Sequence, residues 1–179
     1  DNKMDLSKSD GPKEIIRGCI DAQRKLINGF KGNKKINLEK FKQAQEPMQF
    51  AISLTGEPTI YPRLGELIKE LKNQGKTSFL VTNGLSPEVL KRLGEKNALP
   101  TQLYISMNAS NEKLFNKWHK SQTKNAWKKF NQTLEIFPKL KTRKVVRMTL
   151  VKGLNNNMKE EMIKDYAELI NKAKPDFIE

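Results

Sequence analysis

Phe50-Ala51-Ile52-Ser53-Leu54-Thr55-Gly56-Glu57-Pro58-Thr59-Ile60-Tyr61-Pro62 decides the architecture. Its first five residues form a short apolar run of the kind a buried strand uses. The run breaks at Thr55-Gly56-Glu57-Pro58. Leu64, Leu67, Ile68 and Leu71 then recur at helical spacing, and Gly75 closes the helix.

The same unit repeats downstream. Ser78-Phe79-Leu80-Val81-Thr82 reads as a strand ending at Asn83-Gly84. Ser86-Pro87 then offers an N-cap and a first helical position, with Val89, Leu90 and Leu93 on the inner face. Leu103 to Met107 is the next predicted strand, ending in Asn108-Ala109-Ser110, and the clearer helix after it carries Trp127, Phe130, Leu134 and Phe137 on one stripe. Val145 to Val151 predicts a fourth strand, closed by Lys152-Gly153. Met162, Tyr166, Leu169, Ile170 and Ala173 mark the last full helix, and Phe177-Ile178-Glu179 reads as a strand just beginning. Upstream, Gly11-Pro12 opens a helix with Ile16, Cys19, Ile20, Ile27 and Phe30 near one face, stopped by Gly32-Asn33. A short basic helix follows from about Asn37 to Gln45.

Strand, turn and helix repeated with short connections predict an α/β fold with parallel strands and right-handed crossovers. Either a partial barrel or an open doubly wound sheet satisfies the pattern, and both bind ligands at the carboxyl ends of their strands. No linker or low-complexity tract divides the chain, so residues 1–179 are expected to form a single domain.

The 179 residues suffice for one sizeable core, and 36% hydrophobic with 30% charged content describes a soluble chain. No run approaches the roughly 20 apolar residues of a membrane span, and Asp1-Asn2-Lys3-Met4-Asp5 is not a signal-peptide start. The single cysteine, Cys19, excludes a disulfide framework and a cysteine-built metal site within this chain. It fits a small core residue on its apolar helical face. The cytoplasm is the expected compartment. A net charge of +14 favours a polyanionic partner through counterion release, although a lysine-solvated surface produces the same sum.

Parallel strands covered on both faces should be almost wholly apolar. Here Ser53 and Thr55, Ser106 and Asn108, and Arg147 and Thr149 alternate, while Thr82 and Asn83 end the remaining strand. A period of two places each alternating pair on one face, which predicts a polar mouth at the carboxyl ends. Strand-end residues satisfying loop backbone is the competing explanation. Gly56 allows a ligand close to the backbone, and the Glu57 carboxylate with nearby carbonyls forms an acceptor-rich site suited to an ammonium group. A plain turn with an exposed glutamate is the alternative there.

Leu54 to Pro62 resembles the glycine–glycine–glutamate–proline motif of radical S-adenosylmethionine (SAM) enzymes, with Thr55 in place of the first glycine. The Gly-Glu-Pro turn followed by Tyr61-Pro62 is similar to the tRNA 4-demethylwyosine synthase branch. So are Phe79 to Gly84, Leu99 to Ser106 and Val146 to Gly153, in that family's order. The resemblance implies an incomplete radical-SAM-type (βα)6 partial TIM barrel that forms 4-demethylwyosine from N1-methylguanosine in the anticodon region of tRNA-Phe and pyruvate. A monomer is expected, with an unidentified electron donor. It also implies SAM contacts: Gly56 and Glu57 at the amino group, Thr82 and Asn83 lining the pocket, and Ser106 and Asn108 near ribose or carboxylate. Arg147 and Thr149 would steady carboxylate or substrate, Val151 would pack against adenine, and Asn155 would stand at the same rim.

The family's 4Fe-4S cluster needs three cysteines spaced Cys-x3-Cys-x2-Cys, and none of that motif is present. The pyruvate-binding lysine and additional amino-terminal cysteines that the family implies are absent too. The chain is therefore expected to be a fragment that starts just past the cluster motif, inactive by itself. Another radical SAM branch, or a non-catalytic tRNA-binding α/β module, are the alternatives.

Gly75-Lys76-Thr77 is no phosphate loop, because Glu70 occupies the earlier glycine position and a strand follows it. His119, the one histidine, is expected in an exposed loop. The basic, aromatic-interleaved stretch with Lys117, Trp118, Lys120 and Lys124, joined by Arg143 and Lys144, could track an RNA backbone with Trp118 stacked on a base; a solvated helix surface over a core of Trp127 and Phe130 is the alternative.

Overall fold

A computed structural model describes residues 8–152 and 158–179. Among the described residues five parallel strands form one sheet: β1 (Gln49–Ile52), β2 (Thr77–Thr82), β3 (Gln102–Ser106), β4 (Arg143–Arg147) and β5 (Phe177–Ile178). They lie side by side in chain order. The described helices are α1 (Pro12–Asn28), α2 (Leu38–Ala44), α3 (Leu64–Asn73), α4 (Pro87–Glu95), α5 (Glu112–His119), α6 (Ala126–Ile136) and α7 (Glu160–Ala173).

Strand order separates the two architectures that the sequence left open. A doubly wound sheet needs a reversal in strand order, and these strands have none. With right-handed crossovers throughout, all connecting helices fall on one face of the sheet. The neighbours agree: α1 packs on α3, α4 on α6, and α6 on α7. The result is a segment of a parallel barrel with one outer helix layer.

Side-chain alternation follows from that geometry. Leu80, Leu103, Ile105 and Val146 are fully buried beneath the helices, whereas Val81 and Tyr104, paired in register, stay half-buried on the opposite face. The four leucine and isoleucine positions that define α3 are all buried, as are Leu90 and Leu93 of α4. Full burial of such a side chain is worth about 1.5–3 kcal/mol, so this stripe holds each helix on the sheet.

Several boundaries differ from expectation for local reasons. β1 stops at Ile52, short of the expected Leu54, because Leu54 has φ +83°, a left-handed conformation that a strand cannot contain. β4 spans Arg143–Arg147 rather than the expected Val145–Val151. Beyond it the Thr149 amide donates to the Asn108 side chain instead of to a ladder carbonyl (3.0 Å). Helix α1 ends at Asn28, and Phe30 is 59% exposed. Cys19 is exposed rather than in the core. Helix α1 sits at the end of the layer against α3 and α2, so it buries only Pro12 and Ile16. Ser86 makes no side-chain cap on α4; its hydroxyl lies 3.1 Å from that of Thr59.

Candidate functional site

The β1–α3 connection is built around Glu57. Its Oε1 accepts from the Thr59 amide (3.1 Å), the Thr59 hydroxyl (2.9 Å) and the Thr82 hydroxyl (2.7 Å). Its Oε2 accepts from the Asn83 amide (2.8 Å). A carboxylate offers about four acceptor sites. Three of these bonds crowd one oxygen, which leaves Oε2 with spare capacity. Glu57 thus fastens the turn after β1 to the end of β2, and its side chain is half-buried. Gly56 has φ +80°, and no atom lies within 4 Å of where a Cβ would stand. The turn therefore has an open face beside a carboxylate held in place by its donors.

The end of β2 is equally constrained. Asn83 Oδ1 accepts from the Leu85 amide (2.9 Å), forming an Asx turn, and Thr82 Oγ1 accepts from the Gly84 amide (3.1 Å). Gly84 has φ +72°, and a Cβ there would come within 3.3 Å of Ile105 and Phe130. Its carbonyl accepts from the buried Thr133 hydroxyl at 2.6 Å.

At the next strand ends, Asn108 Oδ1 accepts from the Thr149 amide, and the Asn108 carbonyl accepts from Tyr166 Oη (2.9 Å). Ser106 is half-buried and pairs in register with the exposed Arg147, whose Nε lies 3.9 Å from the Glu179 carboxylate. Val151 is 40% exposed, and Asn155 lies outside the described residues.

These contacts divide the expected site residues into two neighbouring groups on one edge. Gly56, Glu57, Thr82 and Asn83 meet at the ends of β1 and β2; Ser106, Asn108, Arg147 and Thr149 meet at the ends of β3 and β4. Register joins the groups, since Thr82 pairs with Ile105, the residue before Ser106. The same register corrects one expectation. Thr82 is 2% exposed and points towards the helices, so it does not line an open pocket; it holds Glu57. Thr149 lies beyond β4, so it does not alternate with Arg147 within that strand. Thr59, Thr133 and Tyr166 support the edge, and none of them was expected at the site. Only Thr59 carried a signal, standing two residues after a turn carboxylate.

The expected RNA surface is divided. Lys117, Lys120 and Lys124 are exposed around the end of α5. Trp118, the candidate for base stacking, is half-buried against the core with its Nε1 enclosed and unbonded. His119 ends α5 rather than occupying a loop and stacks on Phe115 (4.4 Å); burial lowers its pKa. Arg143 and Lys144 open β4, separated from α5 in the chain by α6, whose 11 residues span about 16 Å. Lys144 Nζ lies 3.3 Å from Asp176, and Arg143 stands 5.8 Å over the Phe177 ring. Both cations are engaged at the amino end of the sheet.

A parallel barrel segment with a glycine–glutamate turn and polar ties along its carboxyl edge defines an α/β fold of the ligand-at-the-rim class. The radical SAM superfamily model matches residues 34–166. The chain belongs to the radical SAM superfamily. It is 44% identical over 170 residues to the SAM-dependent tRNA 4-demethylwyosine synthase of Pyrococcus abyssi, covering 95% of this chain and 48% of that protein. To the Mus musculus synthase TYW1 it is 36% identical over 172 residues, covering 96% and 23%. The crystal structure of archaeal TYW1 superposes with a TM-score of 0.80 at 34% identity, covering 96% of this chain and 56% of that one. A structure of TYW1 with a bound lysine–pyruvate adduct gives 0.83 at 34% identity, covering 96% and 54%. The chain spans about half the length of the archaeal synthase.

Membership implies SAM and an iron–sulfur cluster. The residues present suit an ammonium-bearing ligand at the Gly56-Glu57 turn. They do not suit a cluster: Cys19 is the one cysteine and sits exposed on α1. Among the described residues no three His, Cys, Asp or Glu side chains are placed to hold a metal. No helix among them is long and apolar enough to cross a membrane.

Proposed function

We propose that this chain is the SAM-holding part of an enzyme that makes 4-demethylwyosine from N1-methylguanosine of tRNA-Phe and pyruvate. The observation that carries this reading is the Glu57 carboxylate, held by four donors from Thr59, Thr82 and Asn83 beside the open face of Gly56. Acceptors fixed in advance need no rearrangement when an ammonium arrives, so little of the binding energy is lost to ordering. Gly56 and Glu57 receive the methionyl amino group, with Thr82 acting through Glu57 and Asn83 closing the turn. Ser106 and Asn108 face the ribose or carboxylate. Arg147 and Thr149 steady the carboxylate or substrate, Arg through its planar donor fork, and Val151 packs against adenine. Asn155 belongs to the same rim.

Bound SAM supplies the adenosyl group for radical chemistry; the residues here orient it and keep water from it. The cluster thiolates and the pyruvate-binding lysine lie outside these 179 residues in this reading. The relative with a lysine–pyruvate adduct supports pyruvate as co-substrate. The names of the relatives support tRNA, for which Lys117, Lys120 and Lys124 offer phosphate contacts. We place the protein in the cytoplasm as a monomer.

Calorimetric titration of SAM into the whole, cluster-reconstituted protein tests the reading. Glu57→Ala removes a charge-assisted acceptor and is expected to weaken binding about 10- to 100-fold. Binding at the unaltered affinity removes Gly56 and Glu57 from the site.

A further inference from the structure

Away from the rim, a groove of about 260 Å³ runs between α3 and α4. Its floor is apolar, with Leu64, Leu93 and Ala98 at or below 4% exposure. A Cβ at Gly65 would approach Leu93 Cδ2 to 3.2 Å and Ala98 Cβ to 3.3 Å, so the two helices close the floor where they meet. The walls carry Lys69, Arg92, Lys96 and Arg63, and among the described residues the one carboxylate lining the groove is Glu66. Arg63 already holds Glu66 with two bonds to Oε2, from Nε at 3.0 Å and Nη2 at 2.7 Å. That hydrogen-bonded guanidinium, with Lys96 adding to the field, keeps the Glu66 carboxyl below the usual carboxylate range. Lys69, Arg92 and Lys96 have no ion-pair partner within 4.0 Å among the described residues. Four cations against one carboxylate therefore leave a net positive cleft whose apolar floor lowers the local dielectric and strengthens their field.

The charge of the groove and the place where it starts point to its occupant. Its wall includes Tyr61-Pro62-Arg63, which directly follows the Pro58–Ile60 turn that Glu57 caps. Tyr61 Oη donates to the Asp10 carbonyl at 2.7 Å and ties that wall to the segment before α1. The groove thus starts at the connection that leaves the carboxyl edge and runs down to Lys96 and Ala98, in the connection that leads into β3. We propose that the α3–α4 groove is a docking track for the phosphate backbone of the RNA substrate, with Lys69, Arg92 and Lys96 contacting phosphates that lead away from the reacting nucleoside. The assignment rests on the tRNA-modifying reading above and adds to it a specific surface, distinct from Lys117, Lys120 and Lys124.

The test is tRNA-Phe binding by the whole protein, followed by fluorescence anisotropy from about 50 to about 300 mM salt. The Lys69→Gln/Arg92→Gln/Lys96→Gln variant removes three cations. It is expected to weaken binding at least tenfold at low salt and to reduce the slope of log affinity against log salt by about 2–3. A charge-matched Lys31→Gln/Lys34→Gln/Lys35→Gln variant, on the exposed connection between α1 and α2, is expected to change the slope by less than about 1. Melting curves of both variants should overlay that of the parent, since the altered side chains lack buried partners. Equal falls in the two variants signify a diffuse lysine field and overturn the groove. So does parental tRNA affinity in the first variant. If the unaltered protein binds SAM but no tRNA, the tRNA reading itself fails and the groove with it.

Discussion

Replacing Glu57 should destabilise the protein far more than an ordinary turn glutamate would. The carboxylate accepts from two residues that water scarcely reaches, Thr59 at 6% and Thr82 at 2% exposure, and from the exposed Asn83 amide. In Glu57→Ala, water can replace the bond to Asn83. The Thr59 amide and hydroxyl and the Thr82 hydroxyl lose their acceptor where little water enters. A buried donor without a partner costs about 1–3 kcal/mol. Because Thr82 Oγ1 still accepts from Gly84 and Thr59 Oγ1 still has Ser86 nearby, the sum should settle near 3 kcal/mol rather than at the additive limit. For a chain of this size that is a fall in Tm of about 6–12 °C. Glu57→Gln retains one oxygen for the Thr59 and Thr82 donors but turns an amide towards the Asn83 N–H, so it should cost about 1–2 kcal/mol. Urea unfolding followed by circular dichroism measures both, with an unchanged m-value confirming that only stability moved. A Glu57→Ala variant within about 0.5 kcal/mol of the parent would refute the view that this carboxylate fastens β1 to β2.

Leu54, at φ +83° and 94% exposed, combines an unfavourable backbone with an exposed apolar side chain. Leu54→Gly should therefore leave stability unchanged or raise it by up to about 1 kcal/mol, as the left-handed penalty outweighs the added chain entropy; thermal unfolding decides, and a loss above that size contradicts the argument. The Asp176 carboxyl is held below its ordinary 3.8 chiefly by the Lys144 amide and then by the Lys144 ammonium, which links β5 to β4. Its contribution is present above the unfolded-state value and is lost as pH falls through the depressed folded-state value. Asp176→Asn should flatten that acidic part of the stability profile and leave its shape near neutral pH unaltered; an identical acid limb in both proteins would contradict the link.

Much of the architecture was legible because its signals are local. The Leu64, Leu67, Ile68 and Leu71 stripe and the strand–turn–helix recurrence each depend on residues a few positions apart. The Gly-Glu-Pro turn was legible as well, since Gly56 needs its positive φ whatever surrounds it. What a side chain meets across the sheet was beyond such reading. Partial barrel or doubly wound sheet turned on strand order, which is a property of crossovers and not of any window of sequence. Thr82 and Ser106 look alike at strand ends, yet register sends one beneath the helices to hold Glu57 and leaves the other half-exposed beside Arg147. Trp118 carries the same composition signal whether it stacks a base or packs a core, and only its neighbours place it inside. Local periodicity thus determined the elements and the glycine–glutamate turn, while long-range pairing alone decided which polar groups brace the rim and which are left free to face a ligand.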